Sequence, residues 1–487
     1  MSCEVADILN YGKPSDGIRE ECGVFGVFSG ERTCVASTVY VGLFSLQHRG
    51  QEGCGIAVND GGVFSSYKDL GLIGDVFTPH RLSSLGEGKI AIGHVRYGTT
   101  GSGIRENCQP IEVHHVMGNI ALAHNGNLTN HAALREKLEL DGAIFHTTSD
   151  TETIAYTLTN ERLKTSSTRD ALSSLMDKLE GAYSLVVMTE DKLYAVRDPH
   201  GFRPLCYGVT KDGAYCVASE SCALGAVGAK LVRDIMPGEI VIFSENGVES
   251  ITSHCGKTKR SLCVFEYIYF ARPDSVIDGE QVYEARLRAG RILAREHPVS
   301  ADVVIGVPDS GLDASLGYSM ESGIPYGIGF VKNKYIGRTF IAPTQGERED
   351  KVRIKLSPVI STVKDKRVVL VDDSIVRGTT SKRIVKLLRE AGAREVHMRI
   401  SAPPFLHPCY YGTDIDSEEN LIACHHTPEE TAEIIGADSL GYLSLEGAKH
   451  LACGDFCTAC FGGEYPTQIP EKPYKNRFEQ KLSENGQ

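Results

Sequence analysis

The run VVLVDDSIVRGTT, Val368 to Thr380, concentrates side chains that could do chemistry. A continuous apolar stretch, which reads as a buried strand, ends in two adjacent carboxylates, Asp372 and Asp373, and a loop of small residues precedes a helix expected to begin near Ser381. At such a helix N-terminus the backbone N–H groups of Arg377, Gly378, Thr379 and Thr380, with the two threonine hydroxyls, can surround a terminal phosphate, because the helix dipole favours an anion there. Gly378 lets the backbone approach closely. The aspartates can accept hydrogen bonds from vicinal sugar hydroxyls and help to hold Mg2+ on a pyrophosphate. The combination suits a phosphorylated sugar, although spacing alone also allows two solvated acids followed by an ordinary turn.

A second candidate is Cys22, in GIREECGVFGVFSG, where a thiol stands ahead of a short alternating apolar run. A thiolate there could serve as a nucleophile; for an isolated cysteine, a buried thiol at the start of a strand is the plainer reading. The pair Cys457 and Cys460 in CTAC is a weak metal signal by itself. HNGN, at His124 to Asn127, taken alone reads as an Asn-Gly turn.

The elements that must position these groups fall into two halves. From Cys22 to Glu249, β-patterned runs such as KIAIGHVRY, NIALAHNG and AYSLVVM alternate with helical stretches such as HAALREKLEL and DALSSLMDKLEG, which predicts an α/β layered domain. The pattern lapses into a polar, basic segment at Ser253 to Arg260, read as a linker. Beyond it, ADVVIGVPDSG and the aspartate-bearing run look like buried parallel strands, each ending in a polar loop. The last seventeen residues, 471–487, are mostly charged or polar and read as a loose tail.

With 487 residues, 41% hydrophobic and 23% charged, the chain can build two or three cored domains and is not a disordered protein. A formal charge of -12 argues against general attraction to nucleic acid or to anionic membranes. No apolar run approaches the ~20 residues of a membrane span, and the first twenty residues lack a signal-peptide core, so a cytoplasmic protein is expected. The fifteen scattered cysteines are then expected to be buried thiols, ligands or catalysts rather than disulfides.

VVLVDDSIVRGTT closely resembles the 5-phosphoribosyl 1-pyrophosphate (PRPP) loop of type I phosphoribosyltransferases. The likeness extends over nearly the whole chain: ECGVFG, LQHRGQE, GHVRYGTTG, HNGNLTN, TSDTE, RDPHGFRPL, MPGE, FEYIYFARPDS, VPDSG and FVKNKYIGRTFI occur as in glutamine PRPP amidotransferases, in the branch that carries a propeptide and an iron–sulfur cluster. The resemblance implies an α/β and α+β protein. It would comprise a propeptide at 1–21, an Ntn-hydrolase α/β/β/α glutaminase domain at 22–254, a type I phosphoribosyltransferase domain with a parallel sheet at 255–470, and a flexible tail at 471–487.

It further implies removal of residues 1–21, so that Cys22 gains a free α-amine. With an ordinary pKa of about 7.7–8.0, that amine can act as base for its own thiol. Arg96 would bind the α-carboxylate of glutamine and Asp150 its α-ammonium, while Asn125 and Gly126 would stabilise the oxyanion. The freed ammonia would pass along a closed route to C1 of PRPP, giving 5-phosphoribosylamine, glutamate and pyrophosphate in the first committed step of de novo purine synthesis. Asp372, Asp373, Ser374, Arg377, Gly378, Thr379, Thr380 and Lys332 would contact PRPP, and Ser310 would join Asp372 and Asp373 round Mg2+. The segment VKNKYIGRTFIAP resembles the family's mobile loop, where Lys332, Lys334 and Arg338 either meet phosphate oxygens or form a solvated basic face.

Cys263, Cys409, Cys457 and Cys460 match the ligand positions of the family's 4Fe-4S cluster. Four thiolates suit either such a cluster or structural zinc chemically, and the resemblance favours iron–sulfur; Cys453 does not match in spacing. Purine nucleotides as inhibitors and a tetramer are expected from the family alone. At two places the sequence departs from the family's usual pattern: Gly53 and Cys54 replace a serine and an alanine in QHRGQEGCG, and LDAS follows VPDSG.

Three alternatives stay open. An amidotransferase of another kind would need an isomerase or ATP-binding second half, and a PRPP-sensing regulator would need a basic DNA-binding domain that this acidic chain lacks. An uncleaved propeptide would leave activity with ammonia only.

Overall fold

The computed structural model describes residues 22–97, 103–333, 356–415 and 417–470. The propeptide at 1–21, the tail at 471–487, Lys334 and Arg338 lie outside the described residues. The described chain forms two compact units: 22–288 with 408–414 and 445–470 in the larger, and 289–333, 356–407, 415 and 417–444 in the smaller. The polar lapse at Ser253–Arg260 lies inside the larger unit.

Two antiparallel sheets make up the centre of the larger unit. The first contains β1 (Gly23–Thr33), β2 (Gly53–Asp60), β3 (Val63–Leu70), β4 (Gly88–Arg96), β9 (Cys206–Val209), β10 (Tyr215–Ala218) and β11 (Lys230–Asp234), in the order β11-β9-β10-β1-β4-β2-β3. The second contains β5 (Ile111–Val113), β6 (Ile120–Leu128), β7 (Gly181–Met188), β8 (Leu193–Arg197), β12 (Ile240–Ser244) and β13 (Gly247–Ile251), in the order β13-β12-β8-β7-β6-β5.

Period-two alternation sorts their side chains into layers. Val24, Phe28, Ile90 and Ile92 of the first sheet pack with Ala121, Ala123, Val186, Met188 and Phe243 of the second in one buried layer between them. The alternate residues Phe25 and Val27 face outward under the helix Val35–Ser45, with Cys222, Ala223 and Leu224 of Ser221–Ala226 in the same cluster. On the far side, Leu122, Leu185 and Val187 pack under Asp150–Arg162 and Thr168–Met176. The result is an α/β/β/α sandwich. Both faces of β7 are covered, which explains why AYSLVVM reads as a continuous apolar run although its sheet is antiparallel.

The smaller unit has four parallel strands, Val303–Gly306, Arg367–Asp372, Glu395–Ile400 and Ser439–Tyr442, paired in that order. Helices Leu312–Ser322, Thr379–Glu390 and Pro428–Ile435 follow the strands' connections. The second of these helices begins at Thr379, two residues before the expected Ser381, because Gly378 takes a left-handed conformation at φ 81° and turns the chain sharply into it.

Gly42 shows how tightly the outer layer is packed. A Cβ there would stand 2.5 Å from the ring of Phe25, which is fully buried. Alanine would gain about 1 kcal/mol of helix propensity, but overpacking against a ring that cannot move costs about 1–3 kcal/mol. Gly42→Ala is therefore expected to lower the urea unfolding midpoint, against its helix propensity.

Candidate active site

Cys22 lies one residue before β1, buried at 7% exposure, and shares the inward parity of Val24. Its Sγ donates to the carbonyl of Tyr97 at 3.3 Å. Tyr97 follows Arg96, the last residue of β4, whose side chain is buried on the same inward parity as Ile90, Ile92 and His94. Nucleophile and guanidinium thus share one end of the inter-sheet layer because β1 and β4 run antiparallel, with Gly23 opposite Val95.

The facing sheet supplies the other groups. Asn125 and Gly126 lie on β6 opposite Ser184 and Tyr183 of β7. Asn125 is 1% exposed, and its Nδ2 has no hydrogen-bond acceptor among the described residues. A buried amide donor with no protein acceptor is what an oxyanion site requires. Gly126 has φ 139°, and a Cβ there would lie 2.1 Å from the carbonyl oxygen of Ala182, so only glycine fits. Asp150 opens the helix Asp150–Arg162 after Ser149, whose hydroxyl accepts from Thr151 N. Its Oδ2 accepts from Leu128 N at 3.1 Å, and its Oδ1 lies 3.5 Å from His124 Nδ1. Burial opposes the charge, yet His124, His131 and the Leu128 N–H bring the Asp150 pKa down to about 2, so it is ionised and can meet an ammonium.

His94 bridges the sheets. Its Nε2 lies 3.0 Å from the carbonyl of His124, the residue before Asn125, and therefore carries the proton. Burial, the largest effect, lowers its pKa to about 3 and keeps the ring neutral.

Arg49, in the motif LQHRGQE, is a functional residue to which sequence reasoning gave no role. It is fully buried; Nε donates to the carbonyl of Cys22 at 3.0 Å, Nη1 to Glu220 at 2.7 Å, and the Nη2 and Nη1 groups to Glu266 at 2.7 and 2.9 Å. The quoted motif was the available signal, but its two acidic partners are far away in sequence. Gly53 also finds a reason, since a Cβ there would stand 2.5 Å from Cys108 Sγ. Nothing in the structure explains LDAS after VPDSG.

In the smaller unit, Asp372 ends its strand and Asp373 follows, both buried. Asp373 N and the Ser310 hydroxyl donate to Asp372 Oδ1 at 2.9 and 3.4 Å, and the Ser374 hydroxyl donates to Asp373 Oδ2 at 2.5 Å. Burial, then the charge of Asp373, holds the Asp372 pKa well above the usual carboxylate range. Two carboxylates beside a hydroxyl form a hard-oxygen donor set that fits Mg2+ shared with a substrate's phosphates. Arg377, Gly378, Thr379 and Thr380 lead into and open the following helix, and Lys332 pairs with Asp309. At Gly311, in VPDSG, a Cβ would meet the carbonyl of Val371 at 2.3 Å, so this loop approaches the aspartate strand backbone to backbone.

Residues 96–226 match the model for a glutamine amidotransferase domain, and residues 280–415 that for a phosphoribosyl transferase domain. The amidophosphoribosyltransferase of Methanocaldococcus jannaschii is 52% identical over 92% of this chain and 98% of its own length, and that of Bacillus subtilis is 50% identical over 93% and 95%. The chain belongs to the amidophosphoribosyltransferase family. The solved glutamine PRPP amidotransferase of B. subtilis, complexed with ADP and GMP, superposes with a TM-score of 0.86 at 48% identity, covering 93% of this chain and 99% of that one. A structure described as the allosteric regulatory enzyme of purine biosynthesis gives 0.87 at 49% identity, covering 93% and 97%.

The four cysteines of this family member that sequence reasoning grouped together all lie in the larger unit. Cys263 and Cys457 are register partners on adjacent parallel strands. The Cys460 thiol is pushed up by burial first, then by its neighbours Cys409, Cys263 and Cys457. Cys409 Sγ accepts from Tyr411 N at 3.4 Å. Among the described residues no three His, Cys, Asp or Glu side chains converge as a metal-binding group, but four neighbouring, largely buried thiols are a donor set suited to iron–sulfur or zinc. No helix among the described residues is long and apolar enough to cross a membrane.

His94 generates a pH prediction. A histidine at about 3 in the folded protein and ~6.5 unfolded contributes stability that is complete above pH 6.5 and is lost as pH falls towards 3, by up to ~1.4 kcal/mol per pH unit. His94→Gln retains a donor towards His124 but cannot titrate. Its urea unfolding free energy, measured between pH 6.5 and 4, is expected to fall less steeply than that of the parent.

Proposed function

We propose that the chain transfers the amide nitrogen of glutamine to C1 of PRPP, releasing glutamate and pyrophosphate and forming 5-phosphoribosylamine for purine synthesis. The reading is carried by one chain that holds both a cysteine site at the end of an α/β/β/α sandwich and a paired-aspartate phosphate loop on a parallel sheet, and matches amidophosphoribosyltransferases from end to end.

Removal of residues 1–21 frees the α-amine of Cys22, which takes the thiol proton. Arg96 holds the α-carboxylate of glutamine and Asp150 its α-ammonium, fixing which amide reaches sulfur. The thiolate attacks the carboxamide carbon, and the oxyanion receives hydrogen bonds from Asn125 Nδ2 and Gly126 N–H. Collapse breaks the C–N bond, with the leaving nitrogen protonated from the α-ammonium group. Water, deprotonated by the same amine, then hydrolyses the thioester to glutamate. Arg49 orients this site through the Cys22 carbonyl.

At the second site the N–H groups and hydroxyls of Arg377, Gly378, Thr379 and Thr380, with Ser374, hold the 5-phosphate. Asp372 and Asp373 receive the ribose hydroxyls, and Lys332 meets the pyrophosphate. Asp372, Asp373 and Ser310 would hold Mg2+, which when bound would supply positive charge to the departing pyrophosphate. Ammonia forms the C–N bond at C1 as the C–O bond to pyrophosphate breaks, then gives up a proton. Cys263, Cys409, Cys457 and Cys460 bind a 4Fe-4S cluster with a structural role, since the reaction has no redox step. Purine nucleotides inhibit the enzyme, a reading supported by the ADP and GMP in the B. subtilis relative; a cytoplasmic location and a tetramer are what family resemblance alone implies.

The test uses one anaerobic preparation. Intact mass is expected to show loss of residues 1–21, and metal analysis about four irons per chain. Glutamate release should be stimulated by PRPP. A full-length mass with activity only from ammonia would mean that Cys22 stays masked, and zinc in place of iron would overturn the cluster assignment. Cys22→Ala should abolish glutamine-dependent product formation and spare the ammonia-dependent reaction, whereas Asp373→Asn should depress both by at least about tenfold.

A further inference from the structure

The segment Pro408–Asp414 belongs to the larger unit, where it lies against β6 at Gly126 and Asn127. Asn127 Nδ2 donates to the carbonyl of Tyr410 at 2.9 Å, and Arg203 Nη2 to that of Tyr411 at 2.7 Å. The Tyr411 ring stacks on Phe202 at 4.2 Å and 18°. Directly after the two anchored carbonyls, Gly412 has φ 123°, and a Cβ there would stand 3.5 and 3.6 Å from the carbonyl carbon and Cα of Gly126 and 3.0 Å from Arg203 Nη2. Gly126 already touches β7 on its other side, since its own Cβ position lies 2.1 Å from Ala182 O. Its peptide is therefore held between two backbones.

A second path leads from the same segment to the nucleophile. Arg203 Nη1 reaches Glu266 Oε1 at 3.4 Å, Glu266 binds Arg49, and Arg49 holds the carbonyl of Cys22. Arg203, Glu266 and Arg49 are fully buried, so each must keep its partner or leave a charge uncompensated. One short loop is thus bonded both to the strand carrying the oxyanion donors and, through three buried charges, to the nucleophilic residue.

We propose that Pro408–Asp414 is the supporting wall of the oxyanion site, with Asn127, Arg203 and Gly412 acting as positioning residues for glutamine hydrolysis. The proposal rests on the reading of Asn125 and Gly126 as oxyanion donors. The wall contacts given above bear on Asn127 and on the Gly126 backbone, and through them on the direction of the Asn125 amide and the Gly126 N–H, whereas Arg96 and Asp150 stand on other elements. Loosening the wall therefore weakens binding of the tetrahedral intermediate and spares binding of ground-state glutamine.

The experiment compares Asn127→Asp, which sets a carboxylate oxygen against the Tyr410 carbonyl, with Gly412→Ala and with the milder Asn127→Ser, all in the full chain. Asn125→Ala reports on the underlying reading. For each variant, kcat and KM for glutamine, the ammonia-dependent rate, and the affinities for glutamate and for glutamate γ-semialdehyde, which adds the thiol to form a tetrahedral adduct, are measured. The wall variants are expected to lower kcat with glutamine about tenfold or more, to weaken semialdehyde binding in parallel, and to leave KM, glutamate affinity and the ammonia-dependent rate within about twofold.

Unchanged kcat in Asn127→Ser and Gly412→Ala, alongside a collapse in Asn125→Ala, would overturn the wall and keep the oxyanion donors. Equal losses with glutamine and ammonia, or of glutamate and semialdehyde affinity, would also overturn it, because they would mark a general structural defect. An unimpaired Asn125→Ala would remove the underlying reading and this inference with it.

Discussion

The cysteine site depends on a guanidinium that never meets water. Arg49 is buried between Glu220 and Glu266 and donates its Nε–H to the carbonyl of Cys22. Glu220 in turn accepts from His48, Arg272 N and the Ser275 hydroxyl. Such a cluster is a poor source of net stability, because taking its charges out of water is nearly as unfavourable as their pairing is favourable. Its value is in the steep penalty for any rearrangement, about 3–5 kcal/mol when one partner of a buried pair is lost. Four separate parts of the chain, at Cys22, Arg49, Glu220 and Glu266, are tied together by bonds that are strongly directional. In the proposed reaction, where Cys22 supplies both nucleophile and base, such a restraint would matter, since rotation of the residue would move both groups at once.

The sandwich sets the remaining directions. Alternation along β1, β4 and β6 turns every second residue into the layer between the sheets, and the same parity that buries Val24, Ile92 and Ala123 carries Cys22, Arg96 and Asn125 to the end of that layer. Polar groups occupy the apolar layer only where it runs out. His94, one alternation before Arg96, marks the change: it is still enclosed, is neutral, and spends its proton on a carbonyl of the opposite sheet. The phosphate loop follows a different logic. There a parallel strand simply stops, its carboxylates emerge at its end, and Gly378 turns the chain into the next helix, whose first N–H groups have no partner within the helix.

That difference decides what could be read from the sequence. The phosphate loop is local, so Asp372, Gly378 and Thr379 could be placed from thirteen consecutive residues, with only the helix start shifted by two. That the first half is an α/β layered domain was likewise visible, through runs such as KIAIGHVRY whose alternation survives in β4, whereas the order α/β/β/α came only from the family resemblance. The roles given to Cys22, Arg96, Asn125 and Asp150 rested on family resemblance alone, because these residues stand on separate strands and at the start of a helix, far apart in sequence. Arg49 stayed invisible as a functional residue, since an arginine in a short polar motif looks solvated until Glu220 and Glu266 are seen beside it. The compact larger unit extends past Ser253–Arg260 because folding, unlike composition, returns Pro408–Asp414 and Leu445 onward to it.

The return of those late segments explains where the four thiols lie. Leu262–Cys263 pairs in parallel with Phe456–Cys457, so the end of the described chain completes a two-stranded ladder begun before the smaller unit. A ladder of two residue pairs has little stability of its own. It gains support from packing of Tyr267 against Phe456 and of Phe265 against Phe461, from Tyr465 donating to the carbonyl of Pro408, and from Tyr411 stacking on Phe202. These aromatic groups lie round the cysteines, of which Cys457 and Cys460 have thiols raised by burial; four free thiols contribute little in such a place, and four ligated sulfurs would lock three chain segments together. The last described segments are thus placed where ligation would hold the larger unit shut, bonded to the Pro408–Asp414 loop that meets β6 at Asn127.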